Sequence, residues 1–485
     1  MQQNEIDLTV IAEKAMQELG FYTELSDSLL KELATITQPA KLEVTPDVRD
    51  LRHLLWVSID NDDSRDLDQL TYAEQNSGKD KMYVAIADVD ALVKKNSQID
   101  KFAAHNTTSV YTPTKVFPML PLKLSTDLTS LNEKTDRRAI VVEMDVNDKG
   151  EYVATGIYSA WVRNYAKLTY TNVANWIERK VPLPNLNENQ DAIQQNLTLQ
   201  DQISQRIKKN RYRQGALSFG TIEVHPVIMN GMAIELKLSE HTRAHMLIEN
   251  CMIATNVLVT HYLTENGLPT LRRIVKVPKR WDRIVDLAKE YQWKLPDEPN
   301  SKALQEFLLE QRRVDPLRFP DLSLSVIKLV GKGEYIAQLP GAPDSGHFDL
   351  ALYEYAHTTA PNRRYPDVIM QRLLKSLLYK QNAPYNLAEL TTLGEHCTQK
   401  EDDATKVERR MVKSAAAMVL EPQVGSVFSA LVTGSGQNGT WVRIVDPPVE
   451  GKLIEGYLDV DVGDHITVKL ADVDIARGYI DFVKQ

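Results

Sequence analysis

Cysteine is almost absent: Cys251 and Cys397 are the only two in 485 residues, too few for a disulfide framework or for a zinc site built on thiolates. Both read as packed free thiols with no disulfide partner. Long apolar runs are missing as well. None approaches the roughly 18 residues that a membrane-spanning helix needs, so no membrane association is expected. The opening stretch MQQNEIDLTVIAEKA has acids where a signal peptide has a basic start and an apolar stretch, which predicts a cytoplasmic protein. Nor is there a surplus of positive charge. A net charge of −9 argues against a whole-surface polyanion binder, so any contact with nucleic acid has to be local. Internal repeats and low-complexity tracts are also lacking.

What is present has the texture of an ordinary globular protein, long enough for more than one hydrophobic core. Residues 1 to about 45 predict two short amphipathic helices, with apolar positions at Ile6, Val10, Ile11 and Met16, then at Leu29, Leu30 and Leu33. From Leu54 the runs LLWVSID, LTYAE and MYVAIADVDALV predict strands. Further strand-like runs (AIVVEMDV, ATGIYSAWV, GTIEVHPVIM) alternate with helical stretches at Leu199 to Lys209 and Arg243 to Leu263. This is a mixed α/β (α+β) pattern. After Glu421-Pro422 five short strands separated by glycine turns predict a five-stranded OB-type barrel. The expected organisation is a helical extension over 1–45, an α/β domain over 46–421 and a barrel over 422–485. Two cation-rich segments, Leu271 to Arg283 and Lys208 to Arg213, suit either a channel wall that tracks phosphates or a solvated charged face.

Asp60, Asp62, Asp63, Asp66 and Asp68 put five acids into nine positions directly after an apolar strand. Carboxylates this close repel one another unless they are solvated or neutralised by a cation. A solvated acidic turn and a calcium loop are both open readings. The EF-hand version fits poorly, since position 71, the twelfth from Asp60, is Thr rather than Glu. If Asp66-Leu67-Asp68 is extended, both carboxylates share one face while Leu67 enters the core. Hard oxygen ligands arranged in that way, with Asp60 returning from the strand end, suit magnesium and a substrate phosphate, and hence metal-assisted phosphodiester hydrolysis.

The segment Asp60 to Asp68 resembles the metal-binding segment of the RNase II/RNase R (RNB) exoribonuclease family, in which aspartates recur at these first, seventh and ninth positions. The resemblance continues through VAIADVDALV, SVYTP, FPMLPLKLSTDLTSLN, Asp136-Arg137, AKLTYTNVANWIE, Leu247-Ile248-Glu249 with Asn256, and Val407-Glu408-Arg409. It is most specific at His347-Phe348 and at Tyr355 to Asp367 (YAHTTAPNRRYPD), and covers about residues 54 to 485. It implies a magnesium-dependent enzyme that shortens single-stranded RNA from its 3′ end to nucleoside 5′-monophosphates. It also implies that Asp60, Asp66 and Asp68 hold metal, and that Arg363 supports the transition state with Asp68 and Glu408 at the catalytic cavity. Tyr170 would clamp a base, and Arg363, Arg364, Tyr365 and His357 would contact RNA. Taken alone, either arginine could be half of a structural ion pair, and Tyr170 could be a core residue. A planar guanidinium suits bidentate contact with phosphate, and a flat phenol ring suits stacking on a base.

Two departures from the family pattern stand out. Gln69 occupies the place of a further aspartate, so the metal site would have one carboxylate fewer, with the amide oxygen as the remaining donor and a shift toward manganese as one outcome. An alternative follows from it: a catalytically weakened, RNA-binding or regulatory member of the same family. The second departure is that residues 1 to 45 are too short and too helical for the cold-shock barrels common in the family.

Overall fold

Alternation along the strands accounts for the sheet at the centre of the fold. The computed structural model describes residues 7–41 and 48–485, apart from positions 77, 185, 187, 188, 222, 240, 344, 437, 438 and 461; the expected helical position Ile6 lies outside these. Two helices, α1 (Leu8–Glu18) and α2 (Asp27–Thr35), precede the strands β1 (Val48–Asp50), β2 (Trp56–Asp60), β3 (Gln69–Glu74) and β4 (Asp80–Ala87). Helix α3 (Gln98–Asn106), the short hairpin β5 (Val110–Tyr111) and β6 (Val116–Phe117), and the long strands β7 (Asp136–Val146) and β8 (Tyr152–Thr169) follow. The six-stranded sheet runs β1-β8-β2-β3-β4-β7, and β8 pairs with β7 as well as β2, so the sheet curls back on itself. In β4, Met82, Val84 and Ile86 face the large helix-covered core, whereas Tyr83, Ala85 and Ala87 face a second core inside the curl, together with Trp56, Leu67 and Leu70. Burial on both faces explains why MYVAIA is almost uniformly apolar, each fully buried aliphatic side chain contributing about 1.5–3 kcal/mol.

Helices α4 (Tyr170–Arg179), α5 (Gln190–Gln214) and α6 (Arg243–Glu265) follow, with an antiparallel hairpin, β9 (Glu223–Met229) with β10 (Met232–Ser239), between α5 and α6 in the chain. Strand β11 (Thr270–Val275) pairs with β12 (Gly333–Gln338) across three helices, α7 (Trp281–Glu290), α8 (Ser301–Val314) and α9 (Phe319–Val330), which bury a small core of their own around Phe307. Helix α10 (Tyr365–Leu378) begins with a proline in its first turn, where the missing N–H costs nothing. The 34-residue α11 (Leu387–Leu420) then leads to the strands β13 (Val427–Gly436), β14 (Gly439–Ile444), β15 (Glu450–Glu455), β16 (His465–Asp474) and β17 (Tyr479–Lys484). These form a closed barrel in the order β13-β14-β15-β17-β16, as the glycine-punctuated runs predict.

The two expected N-terminal helices are present, but they are not an appendage. Leu8, Ala12, Ala15 and Met16 of α1 share one apolar cluster with Val407, Met411 and Leu420 of α11 and with Val432, Leu453 and Phe482 of the barrel. Glu18 pairs with Arg410 at 2.7 Å, and Glu13 with Lys115 at 2.6 Å. Leu29 of α2 belongs to the large core instead. The expected boundaries at 45 and 421 therefore do not separate the apolar cores. Cys251 and Cys397 are buried free thiols, and burial pushes the Cys251 pKa up to about 12. Of the cation-rich segments, Arg211 and Arg272 are buried, Arg211 donating to Asn250 at 2.6 Å, and Arg273 pairs with Glu401 at 2.5 Å. Those three side chains are structural rather than a channel wall. Among the described residues no helix is long and apolar enough to cross a membrane.

Candidate active site

The acidic segment leaves β2 at Asp60 and is pinned by Ser130. Ser130 Oγ accepts the Leu67 N–H at 2.9 Å and donates to the Arg65 carbonyl at 2.7 Å, and Arg137 holds the Ser130 carbonyl at 3.1 Å. Leu67 is buried, as the alternation predicts. Asp60 Oδ1 accepts from the Asn61 N–H at 2.8 Å and from the Ser64 hydroxyl at 2.8 Å. Opposite it, the segment Tyr355 to Asp367 is fixed from several sides. Buried Asn256 of α6 accepts both the N–H and the hydroxyl of Thr358, the Ser109 N–H donates to the Arg363 carbonyl at 2.9 Å, and the Tyr365 N–H donates to the Thr107 carbonyl at 2.8 Å.

These two segments meet at Asp68, which is 1% exposed. Its Oδ1 accepts the Asn362 N–H at 2.8 Å, and its Oδ2 accepts Arg363 Nε at 3.2 Å. Burial pushes the Asp68 pKa up to about 7, with Asp66 and Asp367 adding repulsion against the opposing pull of Arg363 and the Asn362 N–H. Burial works against the Arg363 charge, but Asp68, Tyr111, Asp60 and Asp66 outweigh it and raise its pKa. The side chain of Arg363 is 45% exposed, so one edge of the guanidinium is open to a ligand while Nε is held by Asp68.

A second chain of contacts joins Glu408 to the acids. The Glu408 carboxylate accepts the Tyr111 N–H at 3.0 Å, and the Tyr111 hydroxyl donates to Asp66 at 2.9 Å. Burial raises the Glu408 pKa, and the Tyr111 N–H opposes that rise. Tyr170, the first residue of α4 after the Thr169 cap, stacks on His245 with ring centroids 4.0 Å apart, and Asp60 and Arg363 both act on its hydroxyl. The sequence reading assigned no role to Tyr111, Asn362 or His245. The first two lie inside the quoted stretches SVYTP and APNRRYPD, which was the available signal; nothing in the spacing marked His245.

Of the remaining expected site residues, Tyr365, Arg364 and His357 are engaged in structural contacts. Tyr365 is 3% exposed, packed in the large core with its hydroxyl donating to Asp100 at 3.0 Å, so its ring is engaged in the core. Arg364 is tied to buried Asp367 at 2.8 Å, which is the structural ion pair. His357 lies edge-on to Tyr335 and Tyr355 and bonds the Tyr335 hydroxyl at 2.7 Å; burial and the cations Arg364 and Arg273 hold its pKa well below the ordinary range. Gln69 is 5% exposed and opens β3, where alternation sets it on the face of Thr71 and Ala73.

Among the described residues no group of three or more His, Cys, Asp or Glu side chains is arranged to hold a metal ion. Asp68 meets the Asn362 N–H and Arg363 with one oxygen each, and each carboxylate oxygen keeps a further lone pair with which it could join Asp60 and Asp66 around a cation. The donor chemistry suits a hard divalent cation: Asp60 and Asp66 both favour the Arg363 charge electrostatically, and each binds the protein through only one oxygen among the described contacts.

Nearby, His347 and Asp349 predict a pH signature for stability. Burial pulls the His347 pKa down to about 3, assisted by Arg273 and Arg211, and burial pushes the Asp349 pKa up to about 6. The unfolded chain protonates the histidine below about 6.5, so its contribution is complete above that pH and is lost as pH falls toward 3. Asp349 has the opposite sign, since the folded state binds the extra proton between about 6 and 3.9 and is favoured as pH falls. Thermal melts of His347→Gln should therefore lose less stability than the parent between pH 6 and 4, and Asp349→Asn should lose more. Identical slopes for all three proteins would refute the pair.

Comparison with known proteins places this geometry. The RNB domain model matches residues 48–380, and the model of the RNase II-type exonuclease C-terminal S1 domain matches 426–485. The chain is 30% identical over 471 residues to the Ribonuclease R of Escherichia coli, covering 89% of this chain and 57% of that protein; it thus spans little more than half of that relative. Its fold resembles that of Mycoplasma genitalium RNase R, solved in complex with ribose-methylated single-stranded RNA, with a TM-score of 0.89 at 23% identity over 99% of this chain and 79% of that one. It also resembles yeast Ssd1, a pseudonuclease, with a TM-score of 0.74 at 16% identity over 92% of this chain and 55% of that one, so the fold by itself does not decide catalysis. With its α/β body matched by the RNB model and its closed barrel by the S1 model, the chain belongs to the RNase II/RNase R (RNB) family.

Proposed function

We propose that the chain is a 3′-to-5′ exoribonuclease that hydrolyses single-stranded RNA to nucleoside 5′-monophosphates with the help of magnesium or manganese. The observation that carries this reading is the buried Asp68, bonded to Arg363 and the Asn362 N–H, with Asp60 and Asp66 around the same guanidinium. The polarity and product are those that the family resemblance implies, and the Ribonuclease R relatives support ribonuclease activity. Asp60 and Asp66 would hold the cation, joined by Asp68 and the Gln69 amide oxygen. A bound divalent cation would there neutralise phosphate charge and make water a stronger nucleophile. The open edge of Arg363 binds the phosphate oxygens and stabilises the charge that grows on them. Asp68 holds that guanidinium in place, and Tyr111 holds Asp66. Tyr170, backed by His245, offers a stacking face for a base, worth about 1–3 kcal/mol. Glu408 fixes the Tyr111 backbone at the edge of the cavity.

The test uses RNA labelled at either end, matching DNA and a tailed duplex, with chelator, magnesium or manganese. Stepwise release of monophosphates from the 3′ end of RNA, abolished by chelator, is expected; cleavage of DNA at the same rate, or none of any substrate, would refute the assignment. Gln69→Asp is expected to raise the magnesium-supported rate, and an unchanged rate would remove residue 69 from the metal site. Tyr111→Phe removes one hydrogen bond to a carboxylate, worth about 1.5–3 kcal/mol, and is expected to slow release about tenfold with the melting temperature nearly unchanged. A second reading, an RNA-binding protein with weakened catalysis, is favoured by Gln69 in the place of a further carboxylate; tight RNA binding without release in either metal would select it.

A further inference from the structure

Two stretches that stand out in the sequence have no part in the proposed hydrolysis: FPMLPLKLSTDLTSLN and the pair Asp136-Arg137. The fold brings them together against the acidic segment. Three consecutive residues of the loop before β7, Thr129, Ser130 and Leu131, are buried, and each holds a part of the candidate site. Ser130 Oγ accepts the Leu67 N–H at 2.9 Å and donates to the Arg65 carbonyl at 2.7 Å. The Leu131 N–H donates to the Leu67 carbonyl at 2.9 Å. The Thr129 hydroxyl bonds the Asn362 side chain at 2.6 Å, and the Asn362 N–H in turn holds Asp68. Arg137 steadies the loop itself by donating to the carbonyls of Ser130 at 3.1 Å and Asp127 at 3.2 Å.

Arg65 and Leu67 are the two neighbours of Asp66, and Leu67 also precedes Asp68. The hydrogen bonds at Arg65 and Leu67 therefore fix the backbone from which both carboxylates leave. The ends of the segment are held as well, the Asp68 carbonyl by the Ala87 N–H at 2.9 Å and the Ser64 carbonyl by the Lys167 ammonium. Such bracing has an electrostatic reason. Asp66 repels Asp68, so a loose loop lowers its energy by spreading the two acids. Magnesium demands oxygens at about 2.0–2.1 Å in near-octahedral array, and a binding constellation tolerates errors of about 0.5 Å. With one atom Ser130 serves a donor and an acceptor on opposite sides of Asp66. Losing that atom leaves the Leu67 N–H and the Arg65 carbonyl without their partner and frees the segment to relax.

We propose that Ser130 is a positioning residue for the divalent cation: its hydroxyl sets the separation of Asp66 and Asp68, and thereby the affinity of these acids for magnesium or manganese. Ser130 touches neither cation nor RNA and acts through the backbone of Arg65 and Leu67. The assignment rests on the proposed function, in which these acids hold the cation, and gives the two unused stretches a common role.

Calorimetric titration of the chelator-treated full chain with manganese, in the absence of RNA, tests the proposal. Asp66→Asn defines the part of the heat that belongs to the acids. Ser204→Ala is the control, since it removes another fully buried serine hydroxyl, one that donates to the Met246 carbonyl at 3.3 Å on a different part of the fold. Ser130→Ala is expected to weaken manganese binding at least tenfold, Ser130→Cys by an intermediate factor because a thiol is a weak donor and acceptor, and Ser204→Ala not at all. Nucleotide release by Ser130→Ala should return to within a few-fold of the parental rate as manganese is raised to saturation. Parental cation affinity in Ser130→Ala would leave Ser130 a purely structural residue and overturn the proposal, as would a release rate that stays low at saturating manganese. If circular dichroism shows Ser130→Ala unfolded, Ser130→Cys decides, and parental affinity there overturns the proposal. Failure of the underlying reading looks different: a parent chain with no manganese binding that Asp66→Asn abolishes holds no cation at these acids, and both assignments fall.

Discussion

Asp68→Asn is expected to lower nucleotide release from single-stranded RNA by about 10²- to 10⁴-fold, the range seen when a group that orients or stabilises a reacting centre is removed. The substitution is nearly isosteric, and an asparagine oxygen can still accept the Asn362 N–H that Asp68 now receives at 2.8 Å. What disappears is the negative charge beside Arg363, so the guanidinium is no longer held at its Nε edge and the neighbouring acids lose a member. Because Arg363 is 45% exposed, its charge can be resolvated, and the loss of stability should stay well below that of breaking a fully buried pair. The check is 3′-end release against time, with a thermal melt of the same preparation. A rate within a few-fold of the parent would remove Asp68 from the chemistry and leave it a structural acid.

Removing residues 424–485 is expected to cost stability as well as RNA affinity. The family resemblance implies that the barrel binds RNA, so its deletion is expected to weaken binding. In the structure, Ala430, Val432, Val442, Leu453, Leu470 and Phe482 close over the same apolar cluster that holds α11 and α1. Truncation would expose Met411, Leu420 and the inner face of α1, at about 1.5–3 kcal/mol for each large side chain returned to water. The expected result is a lower and broader melting transition, with release of α1 detectable as easier proteolysis near Glu18, in addition to weaker binding at physiological salt. An unchanged melting temperature would show that the barrel is independent. Unchanged RNA affinity in a truncated chain that still folds would show that it is not an RNA-binding unit.

Much of this could be read in the sequence because it depends on local patterns. The continuous apolar run MYVAIA fixes a strand buried on both faces, glycine turns after Pro422 fix a small barrel, and the lone thiols at 251 and 397 end up buried and free, as two cysteines without a framework should. The acids at 60, 66 and 68 and the stretch through Arg363 stand out as chemistry because of their residue types and order. Nothing local distinguishes Arg363, which keeps an open edge beside the acids, from Arg364, which is spent on Asp367. Likewise Tyr365 looks as available as Tyr111 in the sequence. One is sunk in the core against Asp100 and the other reaches Asp66.

The sequence by itself determined the class of chain, the order of its elements and the segments that carry the chemistry, because periodicity, turn residues and motif spacing act over a few neighbouring positions. Only the tertiary structure decided that Asp68 meets Asn362 and Arg363 with one oxygen each, that α1 and the barrel share one core, and that the loop through Ser130 grips the acidic segment. Those outcomes depend on which side chains, hundreds of positions apart, are brought within a few ångströms of one another, and charge and burial act through that distance rather than through position in the chain.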